Sequence, residues 1–315
     1  MREPLTEADV RRLLRPDELI PAIESAFRDR FPAVQISERP LTHLADGVFF
    51  SMSCFDAASR ALGIKLVVVR DRAHAGPEGG VHCTYLLLDP QSTQPQLVIS
   101  ANYLTDLRTA ATSAVATKHL ARPDTVTLGI FGTGRLARAH LQTLPLVRPF
   151  QRALICGSSP QRSREFVQKI SDALPGLTIE PADPRTCAAE SDVISSCTSA
   201  STPLFDGRDL RPGTHLNLLG SFRPHLREVD SITIGRSRVV VDTYRSLPEM
   251  GDLLMAQEDG AISADHVVAD LHELVSEKKT GRRSQIEITV FKSVGCALED
   301  LVAAELLLQA ATKGT

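Results

Sequence analysis

Residues 127–137 read TLGIFGTGRLA, and the reading of this stretch decides the fold. A run of β-formers, Thr127 to Phe131, is followed at once by Gly132, Gly134 and Ala137 in the order G-x-G-x-x-A, and then by the helix-forming segment RLARAHLQTL. Gly132 permits a tight turn, Gly134 lacks the Cβ that would hold a pyrophosphate off the backbone, and Ala137 lets helix and strand pack closely. The helix N-terminus then turns its unbonded N–H groups toward the anion. In this strand, turn and helix setting, Gly132, Thr133, Gly134, Arg135, Leu136 and Ala137 are expected to bind a dinucleotide.

The same rhythm continues toward the C-terminus. RALICG (152–157), LTIE (177–180), DVISSC (192–197), THLNLLG (214–220) and RVVVD (238–242) read as strands, with helical segments such as PQRSREFVQKISDAL (160–174) between them. Such alternation predicts right-handed βαβ units and a parallel sheet of Rossmann type over residues 123–292. On the N-terminal side the pattern differs. VFFSMSC (48–54), LGIKLVVVR (62–70), CTYLLLD (83–89) and QLVIS (96–100) read as strands of one sheet, preceded by helical periodicity with Thr6 and Asp9 as an N-cap pair. A helix over about 104–121 ends before Pro123. The last helix, VGCALEDLVAAELLLQAA (294–311), is apolar at Val294, Leu298, Leu301 and Leu306 and needs a surface to cover it, so the first domain is expected to be discontinuous, 1–122 with 293–315. The fold class is therefore α/β, a Rossmann-type parallel sheet domain plus a discontinuous N-terminal α/β domain.

Composition agrees and narrows the function classes. A chain of 315 residues accommodates about two domains. Thirty-five Lys and Arg against thirty-eight Asp and Glu leave a net charge of -3, without the basic excess that non-specific binding to nucleic acid requires. No run approaches the ~20 apolar residues of a membrane span, and the charged start MREPLTEADVRRLL has no hydrophobic signal core, so a cytoplasmic location is expected. Cys54, Cys83, Cys156, Cys187, Cys197 and Cys296 form no CxxC pair and match neither a disulfide framework nor a zinc site. No metal is expected.

The end of the second Rossmann strand selects between dinucleotides. An NAD site commonly carries an acid there to accept from the ribose hydroxyls. Here the residues are Cys156, Gly157, Ser158, Ser159, Pro160, Gln161 and Arg162, with no acid. Ser158 and Ser159 can donate to a 2′-phosphate and Arg162 can pair with its charge, so NADPH is preferred and NADH possible. Thr198, just past the strand DVISSC, is a further candidate because ligands lie at the carboxyl ends of such strands.

Two cations in the first domain occupy costly positions. Lys65 lies inside LGIKLVVVR on a side otherwise made of valine, where an unpaired ammonium would cost several kcal/mol; it must reach water or a counter-charge. Arg108, in TDLRTAA, stands near a helix start, where the macrodipole disfavours it. Arg39, before Pro40, reads from the residues alone as an ordinary loop arginine. His82 reads as a half-exposed strand histidine, Asp106 as a helix cap, and Glu299 and Asp300 as compatible with a solvated helix face. The role of Lys292 is not derivable.

The segments GIKLVVVR, YLTDLRTAATSA, GIFGTGRLARAH, LNLLGSFRPHLREVD and ITVFKSVGCALEDLVAAELL together resemble the ornithine cyclodeaminase and mu-crystallin family over nearly the whole chain. The resemblance implies an N-terminal substrate and dimerisation domain, hence a homodimer, and it implies that Arg39, Lys65 and Arg108 bind the carboxylate of an amino-acid-like substrate. Each such pair would contribute about 4 kcal/mol before desolvation at ~4 Å and an effective dielectric of about 20. One departure is informative. The cyclodeaminases, and the alanine dehydrogenases similar to them, carry an Asp where this chain has Phe222, and a phenyl ring can neither handle an amine nor activate water. The segment GSFRPHLREVD is similar to that of family members that reduce ketimines, notably 1-pyrroline-2-carboxylate reductases. The resemblance thus implies NAD(P)H-dependent reduction of a cyclic imine carboxylate, with Lys65 as proton donor and Phe222 beside the substrate ring. Six-membered 1-piperideine-2-carboxylate is a second candidate substrate. A cyclodeaminase-type lyase and a non-enzymatic binder of NADPH or small molecules are the alternatives. His225, Glu228 and Asp230 are implied to serve loop structure and capping.

Overall fold

The Thr6 hydroxyl accepts from the Asp9 amide while the Asp9 carboxylate accepts from the Thr6 amide, and this reciprocal cap starts α1 (Glu7–Leu13). A computed structural model describes residues 3–74, 79–92 and 94–313. α2 (Pro16–Ser25) begins on Pro16, whose ring suits the first helical position, and buries Leu19, Ile20 and Ile23. Next come β1 (Gln35–Ile36), β2 (Thr42–Leu44), β3 (Gly47–Asp56), β4 (Ala61–Arg70), β5 (Val81–Leu88) and β6 (Pro95–Ser100). They form an antiparallel sheet in the order β1-β3-β4-β5-β6, with β2 also paired to β3. Alternation along β4 turns Gly63, Lys65 and Val67 to the buried face.

α3 (Asn102–Leu120) is buried all round at Ala110, Ala111, Ala114, Val115 and Ala116, small side chains that permit close approach. Its first amides, of Asn102 and Tyr103, donate to the Glu7 carboxylate at 2.8 and 3.0 Å. Glu7 therefore provides the cap expected of Asp106, which stands in the second turn and is buried.

Beyond α3 the chain alternates: β7 (Thr127–Phe131), α4 (Arg135–Thr143), β8 (Arg152–Cys156), α5 (Pro160–Ile170), β9 (Thr178–Pro181), α6 (Pro184–Glu190), β10 (Val193–Ser196) and β11 (His215–Leu218). Then follow α7 (Ser231–Gly235), β12 (Ser237–Val241), α8 (Gly251–Glu258), β13 (Val267–Asp270), α9 (Leu271–Val275) and β14 (Ile288–Lys292). All eight strands are parallel, in the order β13-β12-β14-β11-β10-β7-β8-β9. The direction of winding reverses between β7 and β10, the switch point where α/β sheets take ligands. The core under this sheet is aliphatic, with Ile194, Leu216, Leu218, Val239, Val241 and Val290 in one cluster with Phe131 and Phe205.

α10 (Ala297–Lys313) packs on β3, β4, β5 and α2, burying Leu298, Leu301, Val302 and Leu307. Two units result, Met1–Thr112 with Cys296–Thr315, and Ser113–Gly295. The division falls inside α3, at 112/113, where the sequence suggested 122/123. Pro123 marks where the helix stops, whereas the packing partner changes earlier: Thr117 Oγ1 accepts from Asn217 at 3.0 Å and the Leu120 carbonyl accepts from Thr289 at 3.0 Å. The second break likewise falls at 295/296 rather than 292/293. Asp242 holds the chain up to that point, accepting from the Ser293 hydroxyl and the Val294 and Gly295 amides at 2.8 Å each. Among the described residues no helix is long and apolar enough to cross a membrane, and all six cysteines are free thiols.

Candidate active site

In the first unit the sheet and two helices bring four charged side chains together. Lys65, 1% exposed, points from β4 and donates to Asp300 Oδ1 at 2.9 Å. Arg108, from α3, pairs through Nη1 with Glu299, and its Nε lies 3.0 Å from the same Asp300 oxygen, out of hydrogen-bonding alignment. Glu299 also accepts from the Cys296 amide at 3.0 Å, closing the first turn of α10. Asp300 Oδ2 is buried with no hydrogen-bond partner among the described residues. Burial, and then the Arg108 charge, pull the Lys65 pKa below the ordinary lysine value against the opposing Asp300. Burial pushes the neighbouring Cys83 thiol up. Arg108 stays charged, because Asp300 and Glu299 outweigh its desolvation.

This arrangement corrects one expectation. Glu299 and Asp300 are fully buried rather than part of a solvated face. Lys65 and Arg108 meet the counter-charge that their positions require, since with Glu299 and Asp300 they make a neutral group of two plus two charges. The physical reason is the one that flagged Lys65: a buried uncompensated cation costs several kcal/mol, and here acids on α10 offset it. Arg39 stands half-exposed in the connection between β1 and β2. His82 is exposed on β5.

The second unit builds the glycine loop. Gly132 has φ +113°, and a Cβ there would meet the Cys197 carbonyl oxygen at 2.5 Å; both facts demand glycine. Gly134 faces open space and is the N-cap of α4 without any side-chain cap, whereas Ser159, Asp183, Asp230 and Asp270 cap α5, α6, α7 and α9. Backbone N–H groups and open space together fit the pyrophosphate of a dinucleotide. Ala137 is buried, as close packing requires, while Thr133, Arg135 and Leu136 are half-buried around the turn. A Cβ at Gly157 would meet Thr133 Cγ2 at 2.9 Å, so the end of β8 abuts this loop. Ser158 and Arg162 are exposed there, and Ser159 Oγ accepts from the Arg162 amide at 3.3 Å, leaving its own proton to donate. His140, one turn along α4, is held by Ser113 and the Leu136 carbonyl, and burial pulls its pKa down to about 4. It is neutral and structural.

The carboxyl ends of β10, β11 and β14 carry a second buried charge cluster. Glu228 accepts from the Ser196 hydroxyl (2.8 Å), the Thr198 hydroxyl (2.6 Å), the Thr198 amide (3.2 Å) and the Gly220 amide (2.6 Å). Asp252 accepts from the Glu228 and Val229 amides (2.7 and 3.1 Å) and pairs with Lys292 at 2.9 Å; Lys292 also donates to Ser221 at 2.6 Å. Burial pushes the Glu228 carboxyl up, with Asp252 adding to it against Lys292. Burial also acts on Asp252, but Lys292 and Ser221 outweigh it and hold it below the ordinary value. Asp230 caps α7. The donating proton of Thr198 is thus engaged by Glu228, so that hydroxyl can meet a ligand only as an acceptor. Phe222 is half-buried on the loop that these acids anchor, with the Arg223 guanidinium 5.5 Å from its ring centre.

Sequence reasoning missed Asp300, Glu299, Glu228, Asp252 and Lys292 as members of sites. One signal existed: Lys292 ends the wholly buried strand ITVFK and, like Lys65, required a counter-charge.

The sequence pattern of the ornithine cyclodeaminase/mu-crystallin family matches residues 3–315. The chain belongs to that family. Within it, the chain is 32% identical over 313 residues to a Delta(1)-pyrroline-2-carboxylate reductase of Bacillus cereus, covering 96% of this chain and 94% of that one. A solved Delta(1)-pyrroline-2-carboxylate reductase of Thermococcus litoralis, in complex with NADH and L-proline, superposes with a TM-score of 0.94 at 32% identity, covering 98% and 97% of the two chains. The iminosuccinate reductase of Paracoccus denitrificans, in complex with NAD+, superposes with a TM-score of 0.87 at 25% identity, covering 98% and 96%. The antiparallel sheet unit and the parallel sheet unit are thus the α/β fold of these family members.

Proposed function

We propose that this chain is an NAD(P)H-dependent oxidoreductase acting on a C=N bond, and that its substrate is a cyclic ketimine carboxylate, 1-pyrroline-2-carboxylate reduced to L-proline. The observation that carries the reading is Phe222, a phenyl group on the loop after β11, at the position where, by the family resemblance, the lyases carry a carboxylate. An imine carbon is already electrophilic and asks only for hydride, a proton and orientation. The similarity to reductases named for this imine supports it. The dinucleotide, held by the 132–137 loop, supplies the hydride. Lys65 supplies the proton of the ring nitrogen, while Arg39 and Arg108 bind the substrate carboxylate.

The test is oxidation of NADPH with 1-pyrroline-2-carboxylate and 1-piperideine-2-carboxylate, beside ammonia release from ornithine. Oxidation with either imine supports the reading. Ammonia release, or tight dinucleotide binding with neither activity, overturns it in favour of a lyase or a binding protein. The two rings differ by one methylene, worth ~1–3 kcal/mol in a pocket, so both are expected to turn over at unequal rates.

NADPH is the preferred dinucleotide in this proposal. Ser158, the free proton of Ser159 and exposed Arg162 stand where an acid would repel the 2′-phosphate. Arg162→Ala is expected to raise KM for NADPH roughly 10- to 100-fold, the loss of one charge-assisted hydrogen bond of about 1.5–3 kcal/mol, and to leave KM for NADH unchanged. Equal effects on both would show that Arg162 does not read the phosphate.

A homodimer is also proposed. Leu41, just before the short outer strand β2, and Leu44, its last residue, are 51% and 38% exposed on an edge that a second copy can cover. Sedimentation is expected to give a species of twice the chain mass, and Leu44→Asp to shift it toward monomer. A wild-type monomer at micromolar concentration rejects the dimer.

A further inference from the structure

The Lys65 ammonium is fixed by one oxygen of Asp300, and that carboxylate, at the start of α10, has its second oxygen buried and unpartnered among the described residues. An acid serving only to neutralise two buried cations would engage both oxygens; here Lys65 and Arg108 crowd on Oδ1 and Oδ2 stays open. Lys65 is faced by Asp300 from α10, Arg108 from α3, and Cys83 and Tyr85 from β5; Met52, opposite it on β3, carries no charge. Among these, Asp300 is the group that hydrogen-bonds the lysine and most strongly opposes the two effects that discharge it, its burial and the Arg108 charge, with Cys83 adding to it.

We propose that Asp300 is the positioning residue of the reaction: it keeps Lys65 an ammonium at working pH and aims one of its N–H bonds, so that Lys65 and Asp300 act as one proton-delivering couple. This rests on the imine-reductase reading. In the step, the substrate C2 gains a hydride from the reduced nicotinamide as the C=N π pair moves to nitrogen. The ring nitrogen takes H+ from Lys65 Nζ, which is left a neutral amine and regains a proton from solvent. The product is a secondary amine and the dinucleotide leaves oxidised, so electrons and protons balance.

The experiment is the pH profile of kcat/KM for wild type and Asp300→Asn, with dinucleotide affinity measured on each. Wild type loses activity as pH rises through the Lys65 pKa. Removing the Asp300 charge is expected to move that alkaline limb down by roughly 1–3 pH units and to lower kcat far more than it raises KM, with dinucleotide affinity unchanged. A limb that stays in place overturns the proposal, because a limb belonging to the substrate nitrogen or to a merely structural acid does not move. Should Asp300→Asn fail to fold, Asp300→Glu keeps the charge and displaces it. It is expected to keep the limb and lose at least tenfold in kcat, and wild-type kcat would then overturn the proposal. A wild-type enzyme inert toward every imine carboxylate rejects the function itself and the inference with it, whereas an active wild type with an unmoved limb rejects only the role of Asp300.

Discussion

On the proposed role of Lys65, Lys65→Met is expected to abolish imine reduction while leaving dinucleotide affinity intact. Methionine matches the lysine stem and keeps the apolar contacts on the buried face of β4, so the change removes three N–H donors and a charge but little volume. Removing Lys65 leaves Glu299 and Asp300 with Arg108 as their cation, so the folded state of the variant is checked by circular dichroism beside its activity. What disappears is the proton for the ring nitrogen. A positioned general acid is worth roughly a hundred- to ten-thousand-fold, and kcat is expected to fall by that factor. The glycine loop belongs to the other unit, so titration of the variant with NADPH gives the wild-type dissociation constant. Lys65→Arg is the sharper control. It restores the charge with a group that gives up no proton below about pH 12, and activity therefore stays low. Turnover within threefold of wild type in the Met variant would remove Lys65 from the chemistry.

The second large effect is on stability. Lys292→Met leaves Asp252 and Glu228 buried at the strand ends without their cation. Breaking a buried pair by removing one partner costs about 3–5 kcal/mol, because the remaining charge stays desolvated. The loss is read as a shift in urea unfolding followed by far-UV circular dichroism, and as faster exchange of the Thr198 and Gly220 amides that Glu228 holds. The pH dependence has a definite sign. The Asp252 carboxyl is held below its ordinary value in the folded protein, so the pair's stabilisation is present at neutral pH and is lost as pH falls through that depressed value. In the Met variant this contribution is already gone, and the gap between the two proteins narrows toward acid. A deficit under about 1 kcal/mol at neutral pH would mean that the cluster relaxes or admits water, contrary to its burial.

The glycine loop was legible because its chemistry is local. Gly132, Gly134 and Ala137 are constrained by a turn, an approach and a packing distance that all lie within six residues, and the structure returns each constraint at the expected position. Lys65 was legible in half: a lysine among valines requires a partner, and the chain announces that need without naming what meets it. Asp300 lies 235 residues away, and nothing in ALEDLVAAELL distinguishes an acid turned inward from one on a wet helix face. Asp106 failed for a related reason. Its place near a helix start suits a cap, but Glu7 reaches the same amides from another helix.

By itself the sequence determined two things about this protein: a parallel sheet with a dinucleotide-binding turn, and Phe222 in place of an acid. The first depends on residue type at short range, where spacing and backbone geometry are enough, and the second is what the resemblance to the family implies at that position. Tertiary structure alone decided which charges are compensated. It gave Lys65 and Arg108 their counter-charges in Glu299 and Asp300, and it joined Glu228, Asp252 and Lys292 from three separate segments. Pairing of buried charges is fixed by distance in space and by the cost of desolvation, and separation along the chain carries no information about either.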